Sequence, residues 1–300
     1  VVDEQHRFGV RQRNRLLGKG LQPHLLTMTA TPIPRTLALS LHGDLDVSQI
    51  DELPPGRTPI RTAMITGSNR EEAYELIREE VEKGQRAYVV LPLVEESEKM
   101  DLRSAVDVHR QLADEVFPDL QVGLLHGRLA SADKQAVIKA FACGETSVLV
   151  STTVVEVGVD VPEASVMVID HADRFGLAQL HQLRGRVGRG AAASHCLLIN
   201  DSRNPLARQR LEVLVRSTDG FEIAEMDLRL RGPGQVLGTR QSGLPDLALA
   251  SLADDGSVLE EAREEAADIL REDPELRDHV ILSRLLDEQR SRVTSAAQLN

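Results

Sequence analysis

Short apolar segments alternate along the chain with longer segments of helical periodicity, and this alternation restricts the possible folds more than any other feature. Six segments have the length and apolar content of buried strands, namely Leu25–Met28, Ala87–Leu91, Val122–Leu125, Val148–Val150, Val166–Ile169 and Cys196–Ile199. Three intervening segments have the 3.6-residue period of helices, namely Arg70–Lys83, Leu102–Val116 and Ser131–Ala142. Strands that alternate with helices form a parallel sheet with helices on both faces, so the sequence predicts an α/β fold.

Two segments rich in turn-forming residues interrupt this pattern and predict domain boundaries. Leu53–Arg57 contains two prolines and a glycine, which end regular elements. A second boundary is predicted near Ser202–Pro205. The chain therefore divides into three predicted parts, 1–57, 58–204 and 205–300.

The third part has helical character. Leu206–Val215 and Phe221–Leu230 have the pattern of two helices joined by a short turn. A glycine-rich segment without periodicity, Arg231–Gly243, follows them, and the residues from Ser257 onward are helical and acidic. We therefore expect a helical hairpin, then a loop, then C-terminal helices.

The cysteines and the apolar runs exclude several classes of protein. Cys143 and Cys196 lie far apart in sequence and outside any CxxC motif, which argues against a zinc site and a disulfide framework. A reducing cytoplasm is the expected location. No apolar run approaches the roughly 20 residues that span a membrane, so no membrane partner is expected.

Charge is unevenly distributed along the chain. The net charge of −12 argues against a nucleic-acid-binding protein. The segment His171–Arg240, however, contains eleven arginines against seven acidic residues. A local excess of arginine matters more for phosphate binding than the global sum, so this segment is a candidate phosphate-binding surface.

Two adjacent carboxylates follow the apolar residues at the start of the chain. In Val1–His6 the carboxylates are Asp3 and Glu4. At the end of a strand, one carboxylate can hold Mg²⁺ while the next orients a water molecule. An acidic turn without chemistry is the alternative interpretation of the same two residues.

Hydroxyl side chains follow two of the predicted strands. Thr27–Thr36 can relay hydrogen bonds between a phosphate site and a neighbouring domain, or form a proline-terminated loop. Ser151–Thr153 can grip a DNA phosphate, together with backbone N–H groups. In the following Glu156–Pro162, Asp160 can accept a hydrogen bond from a ribose hydroxyl or form a turn.

The most specific motif is the arginine- and glycine-rich string Gln182–Gly190. Its glycines allow close approach of the backbone, and its arginines project guanidinium groups. Such a group stabilises the charge on a transferring γ-phosphoryl group. A generic basic turn is the alternative.

Taken together, these motifs resemble the motor of RecG-type DNA helicases, which belong to superfamily 2. Asp3–His6 is similar to the second helicase motif and Thr29–Thr31 to the third. The continuation Pro32–Thr36 narrows the resemblance to RecG and the transcription-repair coupling factor. Glu156–Pro162 and Gln182–Gly190 are similar to motifs V and VI. The resemblance implies RecA-like domains.

The resemblance also implies roles for individual residues in the nucleotide site, with ATP and Mg²⁺ as cofactors. Asp3 would coordinate Mg²⁺ through water, and Glu4 would be the catalytic base. Arg186 and Arg189 would reach the ATP held by the other domain, with Arg189 as the arginine finger. The remaining residues of this cleft would be Gly158, Asp160 and Gln182.

Other residues would couple hydrolysis to DNA movement. His6 would link the nucleotide site to DNA, and the hairpin with its loop would convert closure of the cleft into a push on duplex DNA. Arg231 and Gln241 are the expected polar residues of that loop. The hydroxyl residues with coupling or DNA roles would be Thr29, Thr31, Thr152 and Thr153. A glycine-rich loop that only packs is the alternative.

The resemblance implies an ATP-dependent translocase on double-stranded DNA that remodels stalled forks and branched recombination intermediates. Forked DNA and single-stranded-DNA-binding protein would be its partners, in the cytoplasm at a bacterial nucleoid. Two alternatives stay open: a transcription-repair coupling factor, and a non-enzymatic remnant of a motor that binds DNA.

One motif of this class is absent from the sequence. The phosphate-binding string GxxxxGK[ST] does not occur, and Gly18-Lys19 is followed by Gly20. We therefore expect the phosphate-binding segment to lie upstream, and we expect this chain alone to be inactive as an ATPase.

Overall fold

The computed structural model describes residues 1–3, 18, 24–30, 48, 50, 52, 58–92, 98–152, 161–231 and 256–288. The chain divides into two compact units, the first comprising Val1–Pro32 and Ile50–Ala224 and the second Ile33–Gln49 and Glu225–Asn300. No helix within the described ranges is long and apolar enough to cross a membrane.

The first unit is built on a six-stranded sheet in which every pair of neighbouring strands is parallel. Its strands are β1 (Ile60–Ile65), β2 (Arg86–Val90), β3 (Val122–Leu125), β4 (Val148–Ser151), β5 (Ala164–Ile169) and β6 (Ser194–Ile199). They lie in the order β1-β6-β5-β2-β4-β3. The carboxyl ends of all six strands therefore lie at one edge, where ligands of such sheets bind.

Helices connect the strands and continue beyond them. They are α1 (Arg70–Glu82), α2 (Glu98–Gln111), α3 (Ser131–Cys143), α4 (Leu177–Arg184), α5 (Pro205–Arg216), α6 (Gly220–Arg231), α7 (Gly256–Glu272) and α8 (280–288). Proline is the first residue of α5, and the Asn204 side chain accepts a hydrogen bond from the Leu206 amide at 3.0 Å. Both features favour the start of a helix at this point.

The core lies on both faces of the sheet, because successive side chains of a strand point in opposite directions. On β2, Tyr88 and Val90 pack against α3, α4 and α5 on one face. Ala87 and Val89 pack against α1 and α2 on the other. The ring centroids of Tyr88 and Phe141 lie 4.7 Å apart. The prediction of a parallel sheet with helices on both faces is therefore confirmed.

Two regular elements are absent from the sequence prediction, each for a physical reason. Strand β1 pairs only with β6, so it is an edge strand, and its residues Ile60–Ile65 are at most half-buried. Arg61 and Thr62 interrupt it, so it lacks the continuous apolar run that identifies a buried parallel strand. Helix α4 has eight residues, which is too short for its periodicity to be recognised.

The prediction of a buried strand over Leu25–Met28 is wrong. Among the described residues only Thr27 pairs, in one parallel bridge with Val2. Leu25, Leu26 and Met28 are exposed, with Leu26 at 57%.

The first unit extends beyond the sequence boundary near residue 204, because Leu211 and Leu214 of α5 belong to its core. Leu53–Arg57, the other predicted boundary, lies outside the described residues. The division into 1–57, 58–204 and 205–300 stays a prediction.

Candidate nucleotide and DNA site

Helix α4 carries the arginine loop, which we define as Gly185–Gly190. Its side chains Leu177, Leu180 and Leu183 are fully buried and anchor the helix on one face of the sheet. Gln182 lies on the same helix and is half-buried. The loop therefore begins from a rigid support, which is what a group that must be positioned precisely requires.

Two glycines fit the arginine loop closely against its surroundings. Gly188 has a φ of +75°, and a Cβ there would lie 2.8 Å from Cγ1 of Ile60. A Cβ on Gly190 would overlap the carbonyl oxygen of Pro162. Both contacts are too close for real Cβ atoms. The glycines therefore permit a path that other residues would distort.

The two arginines assigned to the nucleotide site lie on this loop. Arg189 is exposed, and its Nε donates to the Gly185 carbonyl at 3.1 Å. Arg186 is half-buried, whereas Val187 between them is buried in the core. The loop thus presents a guanidinium at the surface from an anchored backbone, as an interaction with a phosphoryl group requires. The individual roles stay predictions.

Arg184 is a residue whose role the sequence analysis missed. The sequence analysis placed Arg184 in the candidate phosphate-binding segment, but Arg184 is only 3% exposed. Its Nη1 donates to the carbonyls of Leu214 at 2.7 Å and Ser217 at 2.8 Å. A guanidinium buried in this way does not bind an external phosphate. The seven-residue spacing from Leu177 places Arg184 on the apolar face of α4, and that spacing is the signal that could have identified it.

The turn between β5 and α4 is held from two sides. Asp170 at the end of β5 accepts a hydrogen bond from Arg70 Nη2 at 2.7 Å. Arg210 of α5 donates from Nη2 to the Phe175 carbonyl at 2.6 Å. Arg210, like Arg184, is thus an arginine of the predicted phosphate-binding segment that bonds to protein backbone. These contacts fix the point from which α4 starts.

The hydroxyl residue Thr152 lies at the carboxyl edge of the sheet. Its amide donates to the Leu125 carbonyl at 3.2 Å, which places it next to the end of β3. Thr152 is only 2% exposed, and its Oγ1 has no hydrogen-bond partner within the described part of the chain. Next to Leu125, burial lowers the pKa of His126, and the charges of Lys134 and Arg128 lower it further. This edge combines an unpaired hydroxyl with positive charge.

Replacing Thr152 by valine is expected to raise the free energy of unfolding by about 1 kcal/mol, since it removes a buried hydroxyl with no hydrogen-bond partner among the described residues. Chemical denaturation of the chain measures the change. Ser151→Ala is the matched control, because the buried Ser151 hydroxyl donates to the Thr152 carbonyl at 2.7 Å and its loss should destabilise the fold. Destabilisation by both changes would show that the Thr152 hydroxyl contributes to the fold.

The residues assigned to the first two motifs are only partly described. Val2 donates to the Leu26 carbonyl at 2.8 Å and accepts from the Met28 amide at 2.7 Å. Asp3 and Thr29 each follow one of these bridged segments, so the bridge brings the starts of the two motifs near each other. Asp3 offers an oxygen ligand suited to Mg²⁺. Within the described ranges, no group of three acidic, histidine or cysteine side chains could hold a metal ion.

The structure does not test the other assigned positions. Arg231 is the last residue of α6. The assigned residues that lie outside the described ranges are Glu4, His6, Thr31, Thr153, Gly158, Asp160 and Gln241.

Two family models match the chain. Residues 69–191 match the helicase conserved C-terminal domain. Residues 217–298 match domain 3, C-terminal, of the ATP-dependent DNA helicase RecG. The first match contains strands β2 to β5 and the arginine loop, and the second begins at the joint between α5 and α6.

Individual proteins with similar sequences have the same family description. The ATP-dependent DNA helicase RecG of Synechocystis is 63% identical over 279 residues, which cover 93% of this chain and 34% of that protein. RecG of Bacillus subtilis is 46% identical over 295 residues, covering 96% of this chain and 43% of that protein. The chain thus spans between a third and a half of the length of these relatives.

A solved structure agrees with the sequence matches. RecG bound to a three-way DNA junction superimposes with a TM-score of 0.66 at 47% identity, over 86% of this chain and 33% of that chain. The fold, the arginine loop and the two family models agree, and the chain belongs to the RecG family of ATP-dependent DNA helicases as a C-terminal part of such a protein.

Proposed function

We propose that this chain is part of an ATP-dependent motor that moves on double-stranded DNA and remodels stalled forks and branched recombination intermediates. The observation that carries the proposal is the arginine loop. It presents the exposed Arg189 from a backbone held by Gly188 and Gly190. A cation on a rigid loop suits a γ-phosphoryl group that is bound by another domain.

The residues present fit one side of an ATP site. Arg189, and Arg186 beside it, would contact the phosphates, while Asp3 would hold Mg²⁺ and Glu4 would accept a proton from the attacking water. Bound Mg²⁺ would neutralise charge that develops on the phosphates. The chain lacks the GxxxxGK[ST] string, so another segment must bind the β- and γ-phosphates.

Branched DNA is the proposed substrate. The RecG protein of the matching solved structure is bound to a three-way DNA junction, and the match covers 86% of this chain. The match of residues 217–298 to the RecG C-terminal domain favours a fork-remodelling motor over a transcription-repair coupling factor. We also propose a location in the bacterial cytoplasm, at the nucleoid, with single-stranded-DNA-binding protein as a partner.

The test compares ATP hydrolysis by the full-length protein on a three-way junction and on linear duplex of equal length. We expect stronger stimulation by the junction and ATP-dependent unwinding of its arms. The 300-residue chain alone is the control and should not hydrolyse ATP, because the phosphates would be unheld. DNA-stimulated turnover by the isolated chain that persists in Glu4→Gln would contradict the proposal.

A further inference from the structure

The buried guanidinium of Arg184 joins two parts of the first unit. Arg184 is the last residue of α4. Its Nη1 donates to the Leu214 carbonyl at 2.7 Å and the Ser217 carbonyl at 2.8 Å, and Nη2 lies 3.0 Å from Nδ1 of His181. One side chain thus connects the end of α4 to the end of α5.

A charged group in this place is costly. Burial lowers the pKa of the Arg184 guanidinium, because the charged form loses its hydration. The hydrogen bonds to neutral carbonyls offset this cost, but an apolar side chain of similar volume would often be at least as stabilising. The planar fork of arginine fixes direction as well as distance, which an apolar contact does not. Stability alone therefore does not account for the residue.

The second of these carbonyls, that of Ser217, belongs to the joint between α5 and α6. Ser217 is the C-cap of α5. Its hydroxyl donates to Glu222 Oε2 at 2.6 Å and accepts from the Asp219 amide at 3.1 Å. The Asp219 carboxylate in turn accepts from the Phe221 amide at 2.8 Å. Ser217 therefore connects Arg184 directly to the first turn of α6.

On its other side, Arg184 is bonded to the arginine loop. Gly185 follows it in the chain, and the Gly185 carbonyl accepts a hydrogen bond from Arg189 Nε at 3.1 Å. One hydrogen bond therefore links Arg189 to the residue that follows Arg184. The path from Arg189 to the first turn of α6 consists of covalent bonds and short hydrogen bonds.

We propose that Arg184 is a positioning residue that transmits movement of the arginine loop to the joint between α5 and α6. The inference rests on the proposed function, in which the nucleotide site drives DNA movement. It assigns no catalytic role to Arg184, which touches neither nucleotide nor DNA. Coupling of this kind is a free energy that links two sites. Replacing a residue between the sites can therefore change the coupling while the activity of each site is retained.

The test uses the full-length protein with Arg184→Lys and Arg184→Met. DNA-stimulated ATP hydrolysis and the number of junction base pairs unwound per ATP are measured on one three-way junction. We expect hydrolysis within about twofold of the wild type, whereas base pairs unwound per ATP fall about tenfold, a size typical of coupling between sites. Lysine retains the charge but has a single nitrogen, which cannot reproduce both the Nη1 bonds to the two carbonyls and the Nη2 contact with His181, so it should not rescue the coupling.

Two further variants separate coupling from folding. Arg86→Met removes another largely buried arginine, whose Nη1 lies 3.0 Å from Glu163, and it should keep the wild-type number of base pairs per ATP. Ser217→Ala keeps the carbonyl that Arg184 holds but removes the link to Glu222. It should lower the number of base pairs per ATP as Arg184→Lys does, even if the Arg184 variants fail to fold.

The outcomes distinguish the two proposals. A wild-type protein without DNA-stimulated hydrolysis would overturn the proposed function, and this inference with it. An active wild type, together with an unchanged number of base pairs per ATP in both Arg184→Lys and Ser217→Ala, would overturn the inference alone. An equal loss in Arg86→Met would also overturn it, because the effect would then follow from any lost buried arginine.

Discussion

Replacing Arg189 by alanine in the full-length protein is expected to lower kcat for ATP hydrolysis by about 10³–10⁵-fold, with a far smaller change in ATP affinity. The reason is that an arginine finger acts on charge that develops in the transition state and much less on the bound substrate. Arg189 fits this role because it is exposed on a loop that Gly188 and Gly190 hold close to the core. Steady-state hydrolysis and binding of an ATP analogue give the two quantities.

Arg208→Ala is the matched control for this change. Arg208 is also an exposed arginine, on α5, and its Nε donates to Glu212 at 3.1 Å. Its loss removes the same charge from the protein without altering the arginine loop, so kcat should stay within about twofold. Arg186 is half-buried, and Arg186→Ala should weaken both kcat and ATP affinity. A kcat within about twofold of the wild type in Arg189→Ala would show that this residue is not the finger.

Replacing Arg231 or Gln241 by alanine should abolish fork unwinding while ATP hydrolysis on DNA continues. Arg231 ends α6, beyond the arginine loop in sequence, and the glycine-rich segment that contains Gln241 follows it. These residues are proposed to act on DNA and not on the nucleotide, so their loss should separate hydrolysis from movement. Both activities are measured on one branched substrate, where unwinding should fall to the level seen without ATP.

Arg229→Ala is the control for the second experiment. Arg229 lies on α6 two residues before Arg231, is exposed, and pairs with Glu225 at 2.9 Å. Removing this surface ion pair should leave both activities unchanged. An equal loss of hydrolysis and unwinding in the Arg231 and Gln241 variants would mean that the segment supports the nucleotide site or the fold. No loss of either would mean that the glycine-rich segment only packs.

The extent of the sheet illustrates how local sequence and tertiary context differ in what they reveal. Strands β2, β4, β5 and β6 lie inside the sheet, β3 lies at one edge, and apolar runs predict all five. Strand β1 lies at the other edge, and Ile60–Ile65 mixes polar and apolar residues, so it is visible only once β6 pairs with it. Leu25–Met28 shows the opposite error, since within the described residues this apolar run pairs only at Thr27 and its three apolar side chains are exposed.

The sequence by itself determined the fold class, the family and the position of the arginine loop. The fold class follows from short-range periodicity, and the family and the loop follow from the resemblance of local motifs such as Gln182–Gly190. Only the tertiary structure decided which arginines are exposed. Arg189 is exposed, whereas Arg184, five residues earlier, is 3% exposed and bonded to Leu214 and Ser217. The two have the same chemistry in sequence, and they differ because the packing of α4 against α5 exists only in the folded protein.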